Sequence, residues 1–283
     1  MRNVSHSIVA LVCSFCQALP CLAQAAATVD KPYIVAHRGG RTWAPENTMA
    51  AFRKALAEGV EGIELDIHRC KSGELVVIHD ETVNRTSDLH TLAGTRGGAG
   101  LVKDMTYDEL RKLSNGAWFG AAFKDERIPL LSDVLKLIDG RCDLNIEIKN
   151  TPVEYPGIDK DLIGLLQSYK YPDRIIISSF DHEILRRIHK EAPQYRLALN
   201  VDAIIVDLGS YAKTVGAKNW HPAFDGIRAD NVKAAHDAGL EVEVWTVNKP
   251  SDWEKAIDMG VDAIITDDPK GLHKFLHDRG EHK

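Results

Sequence analysis

With 283 residues, 44% of them apolar and 27% charged, the chain is long enough to bury a sizeable core and too apolar to be a disordered polymer. A formal net charge of -6 with no run of Lys or Arg excludes a protein that holds nucleic acid or an anionic membrane by bulk charge. Any anionic ligand must be held by a local cluster of cations.

In chain order, Arg2 precedes an apolar stretch over residues 8–22, followed by Ala23-Gln24-Ala25 and further alanines. A basic start, an apolar centre and small residues at the end form the layout of a secretory signal peptide over residues 1–25. The mature chain is therefore expected to be secreted to the periplasm, with no stable membrane insertion once the signal is removed. Ser14, Gln17 and Pro20 interrupt the stretch, and a membrane span needs about 20 mostly apolar residues. Cys13, Cys16 and Cys21 fall in this segment, which leaves Cys70 and Cys142. A fold with only two thiols left rests on its core and not on a disulfide framework.

Over residues 30–283, short β-branched runs alternate with helical stretches. Strands are predicted near 33–37, 62–68, 144–149, 175–179, 196–200, 225–229, 241–247 and 262–266. The first helix takes Pro45 in its first turn and Gly59 just past its last. The segments "EGVEGIELD" and "MGVDAIITD" repeat the same passage from helix end to strand. Eight alternating units predict an α/β fold of the (β/α)8 TIM-barrel class. One run breaks the alternation. "ELVVIHD" follows "GIELDIHRC" after only "KSG", too short for a parallel crossover, so the two should pair as an antiparallel hairpin. Such a hairpin sets His79 level with Leu65 and Asp66. Residues 80–127 are then an inserted cap, with a short helix near 107–113 and a flexible tip, "GTRGGAG". The tip lacks the Lys and Ser or Thr that would follow in a phosphate-binding loop.

The barrel assigns the polar residues. Strand alternation puts Glu64 and Asp66 on one face of "GIELDIH", and Asn145, Glu147 and Lys149 on one face of "LNIEIK". Barrel strands normally read as apolar runs, so charges near their C-terminal ends belong to the face where barrels of this kind carry active sites. Three converging carboxylates fit one hard divalent cation, Ca2+ or Mg2+, with oxygen ligands. A buried ion-pair network with Lys149 and Arg38 is the plainer alternative. At the end of the first strand, "VAHRGG" delivers His37 and Arg38 to a double glycine, an imidazole beside a guanidinium where the strand stops. His68 shares the parity of Glu64 and Asp66 but lies farther out, as a supporting residue. His182, His189, His236, His273, His277 and His282 read as solvated, and Trp118 and Phe119 either cap the pocket or anchor the insertion.

The segments "HRGGRTWAPENTMAAF", "GIELDIHRCKSGELVVIHDETVNRT", "LNIEIK" and "VWTVN", in that order, resemble the glycerophosphodiester phosphodiesterase family over about residues 32–269. The resemblance implies a metal-dependent barrel that hydrolyses deacylated phospholipids to glycerol 3-phosphate and an alcohol. It implies His37 and His79 as catalytic residues, with His79 as base and His37 as acid. It implies Arg38 and Lys149 at the phosphate and Glu64, Asp66 and Glu147 as metal ligands, and on that reading Gly39 and Gly40 let the backbone approach the phosphate closely. Trp245, at the end of the seventh strand, is placed against the glycerol or in the rim. The expected partner is a small-molecule glycerophosphodiester. Two other readings stand beside this one. A lysophospholipase D would need a broad apolar groove, and "SDLHTLAGTRGGAGLVKD" supplies only scattered apolar residues. A catalytically silent phosphoester-binding protein would have no need of both histidines and all three carboxylates.

Overall fold

The computed structural model describes residues 31–89 and 100–280, so the leader, the glycine-rich tip up to Ala99 and His282 lie outside the described residues. The described strands are β1 (Tyr33–Ala36), β2 (Gly62–Arg69), β3 (Leu75–Val77), β4 (Asp143–Ile148), β5 (Ile175–Ser179), β6 (Arg196–Val201), β7 (Asn219–Pro222), β8 (Glu241–Val244) and β9 (Ala263–Thr266). All but β3 run parallel, and β1 pairs with both β2 and β9, which closes an eight-stranded barrel. The helices α1 (Met49–Glu58), α2 (Tyr107–Leu110), α3 (Leu131–Ile138), α4 (Ile158–Leu166), α5 (His182–Glu191), α6 (Leu208–Val215), α7 (Ala229–Asp237), α8 (Pro250–Asp258) and α9 (Pro269–Asp278) follow in sequence. This is the predicted (β/α)8 barrel.

Side-chain alternation divides each strand between two environments. Ile63, Leu65 and Ile67 of β2, Leu144, Ile146 and Ile148 of β4, and Ile175 and Ile177 of β5 are buried in one cluster with Phe52, Val134, Leu162 and Leu185 of the helices. Each fully buried aliphatic side chain of this kind contributes about 1.5–3 kcal/mol. The alternate positions point into the barrel. Val35, Ala263 and Ile265 make a small apolar group there. From β4 round to β8 the interior is polar instead, with Asn145, Ser178, Asn200, Asn219, His221 and Glu243 all buried.

Two predicted boundaries move. The sixth barrel strand is Asn219–Pro222, whereas 225–229 forms a 3-10 turn (Phe224–Gly226) and the start of α7. The segment "NWHP" hides its strand character because Asn219 and His221 face the polar interior and only Trp220 joins the outer core. Pro45 does not open α1; Thr48 caps it, its Oγ1 accepting the Ala51 N–H at 3.3 Å. Gly59 ends that helix as predicted, at φ 79°.

The hairpin forms as expected, with Ile67 opposite Val77 and Arg69 opposite Leu75. Ile78 donates its N–H to the Asp66 carbonyl at 3.1 Å, which extends the pairing and carries His79 to the barrel mouth. The cap packs on its own small core of Val76, Ile78, Val83, Leu110, Leu113 and Ile128. Its helix, α2, is a single turn shorter than the predicted span.

Candidate active site

At the C-terminal ends of the strands, a cavity of about 300 Å³ is lined by His37, Arg38, Glu64, His79, Glu147, Lys149 and Trp245, together with Asn145, Phe180, Asn200, Asp202 and His221. The register explains the convergence. Asp66 pairs with Glu147 and Glu64 with Asn145 across β2 and β4, so inward-facing acids from two strands arrive at adjacent heights. The ligand oxygens of Glu64, Asp66 and Glu147 all lie within 4.8 Å of one another.

That proximity has electrostatic consequences. Burial, then the charges of Asp66 and Glu147, pushes the Glu64 carboxyl well above the usual range. Burial also raises Glu147, with Lys149 opposing. At Asp66 burial acts the same way, but Lys149 and Arg38 outweigh it and hold the group ionised. Lys149 Nζ stands 3.1 Å from Asp66 and 2.6 Å from Glu147, and Arg38 Nε stands 3.4 Å from Asp66. The anticipated ion-pair network is therefore present. Lys149 Nζ stands against both Asp66 Oδ1 and Glu147 Oε1, so the network holds three buried carboxylates together with two cations. Three carboxylates from two strands, with ligand oxygens within 4.8 Å of one another, fit a divalent cation such as Ca2+ or Mg2+.

Arg38 follows β1 in a left-handed conformation, φ 50°. Its N–H donates to Glu64 at 2.9 Å, and its Nη1 donates to Glu46 at 2.8 Å. The two glycines after it serve packing. A Cβ on Gly39 would stand 2.8 Å from Ala51 Cβ, and one on Gly40 would stand 2.4 Å from the Trp43 ring. Both also have positive φ, which a side chain would strain. The turn is thus folded tightly on α1 at Gly39 and on the Trp43 ring at Gly40.

Each histidine has a carboxylate behind it. His37 Nδ1 is 2.6 Å from Asp267 Oδ1, and His79 Nδ1 is 2.7 Å from Asp80 Oδ1. Burial lowers the His37 pKa, and the Asp267 hydrogen bond partly restores it. His68 is the supporting residue that its position suggested. Its ring spans the Tyr155 hydroxyl at 2.8 Å and the His79 carbonyl at 2.9 Å. Trp245 lines the cavity with Phe180 edge-on at 5.6 Å, and its Nε1 donates to the His221 carbonyl at 2.7 Å. Trp118 instead donates to the Asn115 carbonyl and meets Phe119 edge-to-face, anchoring the insertion. His182 differs from its solvated reading, with its ring between the Tyr211 hydroxyl and the Asn200 carbonyl.

Sequence reasoning missed Asp267, Asp80, Glu46 and Arg85. Asp267 sat in the repeat-like "MGVDAIITD", one residue past a strand end. The other three stood inside segments already quoted for their motifs. Among the described residues, no helix is long and apolar enough to cross a membrane.

Comparison with known proteins converges on one family. Residues 37–271 match the glycerophosphoryl diester phosphodiesterase family. The chain is 42% identical over 251 residues to a glycerophosphodiester phosphodiesterase of Caldanaerobacter subterraneus subsp. tengcongensis, covering 88% of this chain and 100% of that one. A second relative, from Bacillus altitudinis, is 38% identical over 83% of this chain and 94% of its own. Among solved structures, an Oleispira antarctica phosphodiesterase in complex with the product sn-glycerol-3-phosphate superposes with a TM-score of 0.77 at 26% identity, covering 87% of this chain and 97% of that one. A glycerophosphodiester phosphodiesterase from Agrobacterium tumefaciens gives 0.73 at 30% identity, over 86% and 99%. With matched motifs, a shared barrel and near-complete coverage, the chain belongs to the glycerophosphoryl diester phosphodiesterase family and is a phosphoric diester hydrolase.

Proposed function

We propose that this enzyme hydrolyses glycerophosphodiesters to sn-glycerol 3-phosphate and an alcohol, with His37 and His79 exchanging protons and one Ca2+ or Mg2+ held by Glu64, Asp66 and Glu147. The observation that carries the reading is the meeting, at one cavity, of two carboxylate-backed histidines, two cations and a cluster of three buried carboxylates. The bound Oleispira product supports the choice of substrate. When bound, the cation supplies Lewis-acid neutralisation of phosphoryl charge.

The chain's own groups divide the remaining work. Arg38 and Lys149 draw the phosphodiester anion and offset its charge as the transition state forms. Trp245 and Phe180 wall the cavity beside the glycerol and keep its carbons from water. With Nδ1 of each histidine engaged by Asp267 or Asp80, Nε2 is the nitrogen that exchanges protons. His79 accepts the proton of the glycerol 2-hydroxyl as its oxygen bonds to phosphorus. His37 gives a proton to the head-group oxygen as the bond from that oxygen to phosphorus breaks. A neighbouring hydroxyl has an effective concentration on the order of 10⁵ M when well oriented, so this attack outruns direct attack by water. Water then opens the cyclic phosphate with the roles reversed, His37 taking its proton and His79 protonating the 2-oxygen. The apolar leader supports export, and we place the mature enzyme, with its barrel domain over residues 30–283, in the periplasm after removal of residues 1–25.

Hydrolysis of a panel of glycerophosphodiesters by chelator-stripped enzyme, with Ca2+ or Mg2+ restored separately, tests the proposal. Full activity without metal refutes the cation. A 2-deoxy substrate that turns over as fast as its parent refutes the cyclic route.

A further inference from the structure

The carboxylates behind the two histidines belong to one continuous arc of ion pairs. Asp267, bonded to His37, also accepts from Arg41 Nη1 at 3.3 Å. Asp80, bonded to His79, accepts a two-pronged contact from Arg85, Nε to Oδ2 and Nη2 to Oδ1, each at 2.8 Å. Both arginines then converge on one side chain. Arg41 Nε donates to Glu46 Oε2 at 3.0 Å, and Arg85 donates to the same carboxylate through Nη1 at 2.9 Å and Nη2 at 2.7 Å. Arg38 Nη1 takes a further site on Oε1 at 2.8 Å. Glu46 is only 1% exposed, and its carboxylate accepts from three guanidinium groups, which occupies its acceptor sites.

We infer that Glu46 is a positioning residue that fixes His37 and His79 as a pair, through Arg41 and Asp267 on one side and Arg85 and Asp80 on the other. The inference rests on the acid–base reading of the two histidines. Their roles reverse between the two steps, so each ring must keep its tautomer and its distance from phosphorus while the other changes protonation. Separate carboxylates could orient each ring alone. A shared hub ties the turn after β1, which carries His37, Arg38 and Arg41, to the cap, which carries Arg85. Arg85 is 41% exposed and enters from the insertion, so the cap takes part in setting the histidine that precedes it. Forked guanidinium contacts suit this task, because they fix orientation as well as distance.

The test uses the metal-loaded enzyme and two readouts: steady-state kinetics, and the downfield imidazole N–H proton resonances assigned with His37→Ala and His79→Ala. Arg41→Gln should move the His37 resonance, Arg85→Gln the His79 resonance, and Glu46→Gln both. In Glu46→Gln, kcat should fall about 10–100-fold, the usual effect of losing a partner that orients a working residue, with KM nearly unchanged. Arg53→Gln, which removes an exposed arginine paired with Glu126, should leave both resonances and kcat as they are. A folded Glu46→Gln variant with wild-type resonances and kcat overturns the inference. Should that variant fail to fold, the Arg41 and Arg85 variants decide alone: each shifting its own histidine supports the arc, and neither shifting overturns it. Full activity in His37→Ala or His79→Ala overturns instead the acid–base reading, whatever Glu46 does.

Discussion

Glu46→Gln also makes a stability prediction whose size follows from the structure. Burial alone would raise the Glu46 carboxyl, but Arg85, Arg38 and Arg41 pull it from the ordinary 4.5 down to about 2. At 1.36 kcal/mol per pH unit, that depression is worth about 3 kcal/mol of folding free energy. Breaking a buried pair by removing one partner typically costs about 3–5 kcal/mol. The lower end applies here, because Arg38 retains Asp66, Arg41 retains Asp267 and Arg85 retains Asp80. The sign is that of a depressed acid. The unfolded chain binds the proton first, so the stabilisation is complete above the ordinary value of 4.5 and is lost as pH falls toward about 2. Urea unfolding of both proteins at fixed metal concentration, from neutral pH into acid, should show a gap near 3 kcal/mol at neutral pH that closes in that window. A gap that stays constant to the lowest pH, or one absent at neutral pH, would refute the reasoning.

Glu147→Gln should weaken metal binding and activity together while leaving the far-ultraviolet circular dichroism unchanged; an unaltered calorimetric metal titration would return the acidic cluster to a purely structural role. Cys70 and Cys142 are both free and buried, so a thiol reagent should label them only after denaturation, and rapid labelling of the native protein would contradict that burial. Trp245→Ala should raise KM for glycerophosphodiesters more than it lowers kcat; the reverse pattern would move the ring from substrate binding to the transition state. Ile177→Ala, in the outer core, should destabilise by about 2–5 kcal/mol in urea unfolding, and a change below about 1 kcal/mol would show that the site collapses on the lost volume.

What the sequence revealed and what it hid follow from the distance over which each signal acts. The alternation of "GIELDIH" and "LNIEIK" places Glu64, Asp66, Glu147 and Lys149 because period two is a local property, and the tight "KSG" turn fixes the register that delivers His79. Strand "NWHP" escapes the same reasoning since its inward positions are polar and its last residue is proline. Asp267 lies 230 residues from His37, and Arg85 lies 39 from Glu46, so nothing in local pattern announces either contact. Their clues were positional: a carboxylate just beyond the last strand, a second just after His79, and a glutamate ahead of a helix beside three arginines' worth of turn and cap. The packing of Gly39 and Gly40 against Ala51 and Trp43 was hidden because a loop glycine looks alike whether it faces a ligand or a neighbouring side chain.

The polar interior of the barrel implies a trade between durability and catalysis. Asn145 Oδ1, Ser178 Oγ, Asn219 Oδ1 and His221 Nδ1 are buried and take no hydrogen bond from the protein. Glu243 Oε2 shares that environment, 3.4 Å from His221 Nε2. Buried polar groups so placed add less to stability than hydrocarbon would, since well-packed apolar replacements are often neutral or stabilising. Thermal endurance must therefore come from the outer shell of isoleucines and leucines between strands and helices. Selection for stability alone would fill the centre with branched hydrocarbon, so a hardened variant evolved without an activity screen should accumulate its changes at Ser178, Asn219 and His221 and lose turnover as it gains melting temperature.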